Sequence, residues 1–240
     1  MLKNLYQRKL VVRRVVAVNN INVKFKGMKK YFAEFIGTFA LVFCGTGAVT
    51  INEVTNGSVT HVGIAITFGL IVMAMIYSIG DISGAHMNPA VTIAFAVNKS
   101  FNWKEVIPYI ISQAAGAFAA SYLLKFLFPA SAFLGSTIPL GEAGQSFILE
   151  TVLTFFLMFV ILQVATGSKE QGMFAGLAIG SVVLLEAMFA GPISGASMNP
   201  IRSLAPAIAS NHIENIWIYL TAPFTGAVLA VIVYRILKRK

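Results

Sequence analysis

Two asparagines, Asn88 and Asn199, stand in nearly the same nine-residue stretch, 111 positions apart. Ile82-Ser83-Gly84-Ala85-His86-Met87-Asn88-Pro89-Ala90 returns as Ile193-Ser194-Gly195-Ala196-Ser197-Met198-Asn199-Pro200-Ile201, identical at seven of nine positions. Asn is a strong helix N-cap and Pro is favoured at the first helical position, so each copy reads as a loop leading into a short helix. The side-chain oxygen caps the helix's own N–H groups, which leaves the NH2 free to donate to another oxygen. Each helix start also carries roughly +0.5 charge. A repeat of this kind points to an internal duplication with one functional element per half. Where the two starts sit decides what they do.

Few other residues offer chemistry. No nucleophile–base pair, metal-spaced His/Cys set or phosphate-binding loop appears, and His61, His86 and His212 are far apart in sequence. No catalytic residue, cofactor or metal is expected, and the chain does not read as an enzyme. The single cysteine, Cys44, excludes an internal disulfide and reads as a small packing residue.

The elements that position the asparagines follow from composition. The 240 residues are 57% hydrophobic and only 11% charged, with mean hydropathy +0.79. A soluble domain carries about 25% charged residues. Charge-free stretches run over 35–52, 54–80, 106–124, 151–168, 171–185 and 215–234. Most approach the roughly 20 residues that a helix needs to cross the hydrocarbon; Glu186 interrupts the fifth. Six spans are predicted, over about 31–52, 59–79, 104–125, 145–167, 172–190 and 214–236. The Gly and Pro interruptions argue against strands, and a β-barrel would show short alternating segments instead.

The net charge of +9 suggests nucleic acid only until its distribution is read. Nine of the 18 basic residues lie in the first 30 positions, and Arg235, Lys238, Arg239 and Lys240 close the chain. Under the positive-inside rule both termini are cytoplasmic, in agreement with an even number of spans. The Lys99/Lys104 and Lys169 connections then fall inside too. Only Lys125 falls outside, and Arg202 lies within the membrane. Residues 1–28 read as a basic, disordered cytoplasmic tail near anionic head groups. Its longest apolar run, Val15 to Val18, is too short for a signal-peptide core. Met28 directly precedes a start-like Lys29-Lys30-Tyr31, which leaves open an upstream extension.

Residues 29–126 and 143–238 form the two repeats. Three spans per repeat force the second copy to run upside down. The apolar segments after each Asn-Pro, Val91 to Val97 and Ser203 to Ala209, are too short to span and read as re-entrant half-helices from opposite leaflets, with their Asn ends near the midplane. Irregular backbone at membrane depth must be buried in protein or line a watery cavity, so the 82–87 and 193–198 loops are expected to face a lumen. Small residues at Gly37, Gly69, Gly116, Gly176, Gly180 and Gly226 suit close helix packing in lipid. A charge such as Arg202 is costly at this depth and should be paired and functional.

The rival reading is a secondary transporter, since inverted repeats with broken helices are common there. Transporters generally need coupling-ion ligands, whereas the midplane here offers neutral asparagines. A structural membrane protein would leave the polar lining without a purpose.

From Lys29 onward the chain resembles the major intrinsic proteins, the aquaporin and glycerol-facilitator family. The twin boxes Asn88-Pro89-Ala90 and Asn199-Pro200-Ile201 carry the resemblance, together with six spans and the paired Glu34 and Glu150. Ser83-Gly84-Ala85-His86 and the run Ala190 to Met198 look most like the nodulin-26-like branch and its bacterial relatives. Ile201 departs from the usual Ala. The resemblance implies an all-α channel in the plasma membrane, in contact with lipid, forming a homotetramer with one pore per protomer. The partners it implies are water and small neutral solutes, with no nucleic acid.

Under that resemblance, Asn88 and Asn199 donate to the passing oxygen, and the carbonyls of 84–87 and 195–198 form an accepting ladder. The helix-start charges oppose cations. Phe68, Ala187, Ala196 and Arg202 match the outer constriction. Water-selective members usually carry His where Ala187 stands, so two alanines imply a wider, more apolar filter that passes glycerol-sized or metalloid-hydroxide solutes. Glu34 and Glu150 would hold the loops, and His86 would buttress one. Tyr219-Leu220 fits neither the water-channel nor the glycerol-facilitator pattern, and Ser203 stands where better-known glycerol facilitators carry Asp.

Overall fold

The computed structural model describes residues 2–165, 168 and 172–238, with side chains from residue 27 onward. Among the described residues the chain forms eight helices: α1 Leu2–Val54, α2 Thr60–Ser83, α3 Pro89–Val97, α4 Trp103–Leu127, α5 Ala143–Ala165, α6 Ala175–Ser194, α7 Pro200–Ser210 and α8 Ile216–Lys238. Six of them, with Gly27–Val54 as the relevant part of α1, are long and apolar enough to cross a membrane. Large apolar side chains such as Ile111, Leu185, Phe189 and Ile236 are left exposed on their outer faces, as lipid-facing residues should be.

The two repeats pack alike. In the first, α1 lies against α2 and α4; in the second, α5 lies against α6 and α8; and α2 meets α6 across the pseudo-two-fold. Glycines make the close approaches possible. A Cβ on Gly116 would sit 2.3 Å from Phe35 O, and one on Gly226 would sit 2.2 Å from Thr151 O. Gly69 and Gly180 face one another, each Cβ position 2.7 Å from the other's carbonyl oxygen. Without a hydrophobic effect between helices in lipid, such backbone contact supplies the packing energy.

The helices depart from the sequence reading in two places. Both α2 and α6 run four residues past the predicted ends, so Ile82, Ser83, Ile193 and Ser194 are helical and only 84–87 and 195–198 are irregular. Gly84 and Gly195 explain the stops. Each takes φ 87° as a left-handed C-cap, and its N–H returns to the carbonyl of Gly80 or Gly191. The second difference is at the N-terminus, where the sequence reading puts an irregular tail over 1–28. The backbone continues α1 to Leu2, and residues 2–26 contain neither Pro nor Gly to stop it. Lys169, Arg239 and Lys240 lie outside the described residues.

Candidate functional site

The half-helices α3 and α7 begin where predicted, and their caps are made by the predicted atoms. Asn88 Oδ1 accepts from Ala90 N at 2.9 Å, and Asn199 Oδ1 from Ile201 N at 3.2 Å and Arg202 N at 3.4 Å. Pro89 and Pro200 occupy the first helical positions. Each Asn then reaches across to the other repeat. Asn88 Nδ2 donates to Met198 O and Asn199 Nδ2 to Met87 O, both at 2.8 Å. The two N-terminal ends therefore meet, and their dipoles point at one spot. An amide carries two N–H bonds, so each Asn keeps one to offer a molecule in the lumen.

The loops before the asparagines are held in an unusual backbone shape. Ala85 and Met87 take φ 49°, and Ala196 and Met198 take φ 42° and 54°. Non-glycine residues in the left-handed region are uncommon, and here the two repeats share the pattern. Among the described residues no donor reaches the carbonyls of 84–86 or 195–197, so these are available to a lumen. Met87 O and Met198 O, expected in the ladder, are instead taken by the Asn side chains. Each of these two carbonyls therefore has one accepting lone pair left, and the other three on each side have both.

Two fully buried carboxylates hold those loops. Glu34 Oε1 accepts from Ser83 Oγ at 2.7 Å and His86 N at 2.9 Å; its Oε2 accepts from Met87 N at 2.8 Å and Gln113 Nε2 at 2.7 Å. Glu150 repeats the arrangement with Ser194 Oγ at 2.7 Å, Ser197 N at 2.9 Å and Met198 N at 2.9 Å. Tyr109 and Tyr219 add a second matched pair. Their hydroxyls donate to Ser83 O at 2.8 Å and Ser194 O at 2.7 Å, the last carbonyls of α2 and α6. His86 Nδ1 lies 3.1 Å from Thr92 Oγ1, and its ring is enclosed by Phe95, Phe101 and Tyr109.

A cavity of about 800 Å³ passes these groups. Its lining includes Phe68, Ala187, Ala196, Arg202, both asparagines, Tyr77, Asp81 and Met173. Arg202 is only 3% exposed. Its partners are not carboxylates: Nη1 donates to Gly135 O at 2.8 Å, and the guanidinium carbon sits 4.8 Å over the Phe68 ring. Its Nε has no partner among the described residues, and a buried cation met only by a carbonyl and an aromatic face keeps its net charge. Behind it, Ser203 Oγ receives the Thr137 hydroxyl at 2.9 Å and lies against Ser197 Oγ.

Of the candidate site residues, Asn88, Asn199, Phe68, Ala187, Ala196, Arg202 and His86 line the cavity, Glu34 and Glu150 hold its loops, and Pro89, Ala90, Pro200 and Ile201 are buried in the half-helices. Glu186 is buried, and its Oε2 has no partner among the described residues. Sequence reading missed Gly45, Gln113, Gly135 and the tyrosine pair. Gly45 makes room for the filter, since a Cβ there would sit 2.2 Å from the Phe68 ring. Tyr109 and Tyr219 stand 110 positions apart, nearly the repeat spacing, and that was the available signal.

The chain is similar to proteins already known. The family model of the major intrinsic proteins matches residues 21–234. Aquaporin NIP1-1 of Oryza sativa subsp. japonica is 47% identical over 212 residues, covering 88% of this chain and 75% of that protein. The probable aquaporin NIP4-2 of Arabidopsis thaliana is also 47% identical over 212 residues, with the same coverage. The X-ray structure of the aquaglyceroporin from Plasmodium falciparum superposes with TM-score 0.78 at 26% identity, over 86% of this chain and 95% of that one.

Proposed function

The chain belongs to the major intrinsic protein family, and on that premise we propose that its lumen carries water together with small uncharged solutes of glycerol size, metalloid hydroxides included. The reading rests on one observation above the others: the two alanines, Ala187 and Ala196, share a cavity wall with Phe68 and Arg202. Alanine at both positions leaves width and an apolar surface where a larger polar side chain would restrict passage. Arg202 supplies donors to the same stretch of the lumen.

A solute in single file must exchange its bulk hydrogen bonds for others at little cost. Carbonyls of 84–86 and 195–197 accept from its hydroxyls, and the remaining N–H of Asn88 and Asn199 donates to its oxygen at the centre. Apolar side chains such as Val72, Ile179 and Val183 line the rest and bind nothing tightly. The two dipole ends and Arg202 oppose cations, so protons and metal ions are excluded while neutral molecules pass. Transport is passive, downhill and uncoupled.

Resemblance to the family further supports a homotetramer with one pore per protomer. That resemblance also supports a plasma-membrane location, and the distribution of basic residues supports both termini, including the basic segment before residue 28, on the cytoplasmic side. The test is stopped-flow light scattering of proteoliposomes under water, glycerol and urea gradients, with a trapped pH dye read in parallel. Rapid shrinkage and glycerol-driven reswelling without a dye response are expected. Water flux without glycerol flux overturns the wide-filter reading, and a dye response overturns proton exclusion.

A further inference from the structure

Half-helices that stop inside a membrane protein leave carbonyls at their outer ends, and those carbonyls need partners. In α3 the carbonyls of Ala94, Phe95 and Ala96 accept from the backbone N–H groups of Asn98, Ser100 and Lys99. In α7 those of Ala207 and Ile208 accept from His212 and Asn211. Three helical carbonyls near these ends are not taken by the backbone: Val97 O in α3, and Ala209 O and Ser210 O in α7. Ser210 O lies 3.0 Å from the neighbouring His212 Nδ1, whereas Val97 O and Ala209 O are each taken by a cation from the other repeat. Arg235 Nη2, on α8, donates to Val97 O, and Lys125 Nζ, on α4, donates to Ala209 O at 2.6 Å.

The match extends beyond the single bonds. Lys125 and Arg235 each lie in the last turn of their helix, 110 positions apart, close to the spacing of the two Asn-Pro boxes. The half-helices they reach pack against those same helices, α3 on α8 and α7 on α4. A cation at a helix C-terminus also complements the negative end of the dipole. Lys125 is the one basic residue that the charge distribution assigns to the outer side, against the positive-inside trend. A duty at Ala209 O accounts for that exception.

We propose that Lys125 and Arg235 are crossed positioning residues, each clamping the C-terminal end of the other repeat's half-helix and so fixing how far its Asn end reaches into the lumen. The half-helices are 9 and 11 residues long, too short to hold themselves in place. At the inner end each is fixed by its asparagine and the glutamate-held loop. At the outer end the clamp completes the hold. The proposal bears on the channel reading given above but does not share its test.

Cys44 is the only cysteine, so a Cys44→Ser background accepts single reporters. Ser210→Cys reports on the end of α7 and Asn98→Cys on the end of α3. Labelling by a polar maleimide is followed in nanodiscs, where both faces are open. Lys125→Met should speed labelling at position 210 about fivefold and leave position 98 unchanged; Arg235→Met should do the reverse. Lys125→Arg should restore the parent rate. Lys125→Gln, which keeps a donor but no charge, should fall between, and it substitutes for the Met variant if that fails to fold. Equal acceleration at both reporters means general loosening and overturns the clamp, as does no change at either. Stopped-flow on the same preparations separates the two claims: if the parent conducts neither water nor glycerol, the channel reading falls while the labelling pattern still decides the clamp.

Discussion

Replacing Glu34 by Gln exchanges one oxygen for an NH2 group and exposes what holds the first loop. The carboxylate accepts four hydrogen bonds, two on each oxygen, from Ser83, His86, Met87 and Gln113. The amide keeps one accepting oxygen and turns an NH2 group toward two donors that previously had an acceptor. If the amide nitrogen replaces Oε2, Met87 N and Gln113 Nε2 are affected. Gln113 retains Thr92 Oγ1 at 3.0 Å, whereas Met87 N is left buried without a partner. An orphaned buried donor costs about 1–3 kcal/mol, and the two surviving bonds lose charge assistance worth about 1 kcal/mol each. The expected loss is about 3–5 kcal/mol. Reversible unfolding in mixed micelles measures it, with Gln113→Ala as the control for the one donor that has a second acceptor. Water permeability per folded protomer should fall in the same variant, because Met87 O is the acceptor for Asn199. A stability loss below about 1 kcal/mol with permeability unchanged would refute the reasoning.

Ala187→His should lower the glycerol-to-water permeability ratio about tenfold, since the imidazole enters the cavity that Arg202 also lines; an unchanged ratio in stopped-flow would show that Ala187 does not line the narrowest point. Gly45→Ala should displace Phe68 from under Arg202, because its new methyl would sit 2.2 Å from the ring. The expected readout is a rise in guanidinium-ion leak with near-parent stability, and a tight, selective Gly45→Ala channel would count against the Phe68 assignment. Tyr219→Phe removes the hydroxyl that donates to Ser194 O at 2.7 Å and should destabilise by about 1 kcal/mol, with Tyr109→Phe matching it.

The twin boxes, six spans and inverted repeats were all legible in sequence, because each is written in residue type and period. Asn88 and Asn199 announce helix starts by composition alone, and Glu34 and Glu150 stand out as carboxylates in apolar surroundings. What the sequence did not disclose is carried by backbone or by emptiness. Gly135 contributes a carbonyl to Arg202, and any residue has a carbonyl. Gly45 contributes the absence of a side chain beneath Phe68, which no periodicity records. The four-residue overrun of α2 and α6 has a third cause. Ile82-Ser83 and Ile193-Ser194 read as loop because they belong to the repeated motif, yet the left-handed glycine that stops each helix lies just after them.

The reciprocal bonds between the asparagines and Met198 and Met87 also govern how the chain is made. Asn88 emerges 110 residues before the carbonyl it needs. At 5–20 residues per second, roughly 5–20 s pass before Met198 exists at all. During that interval the amide and the loop carbonyls of the first half have no partner in hydrocarbon, where unsatisfied polar groups are costly. The reciprocal pair can therefore close only after the second half has been made, so the centre of the lumen is the last part of the chain whose polar groups can all be partnered.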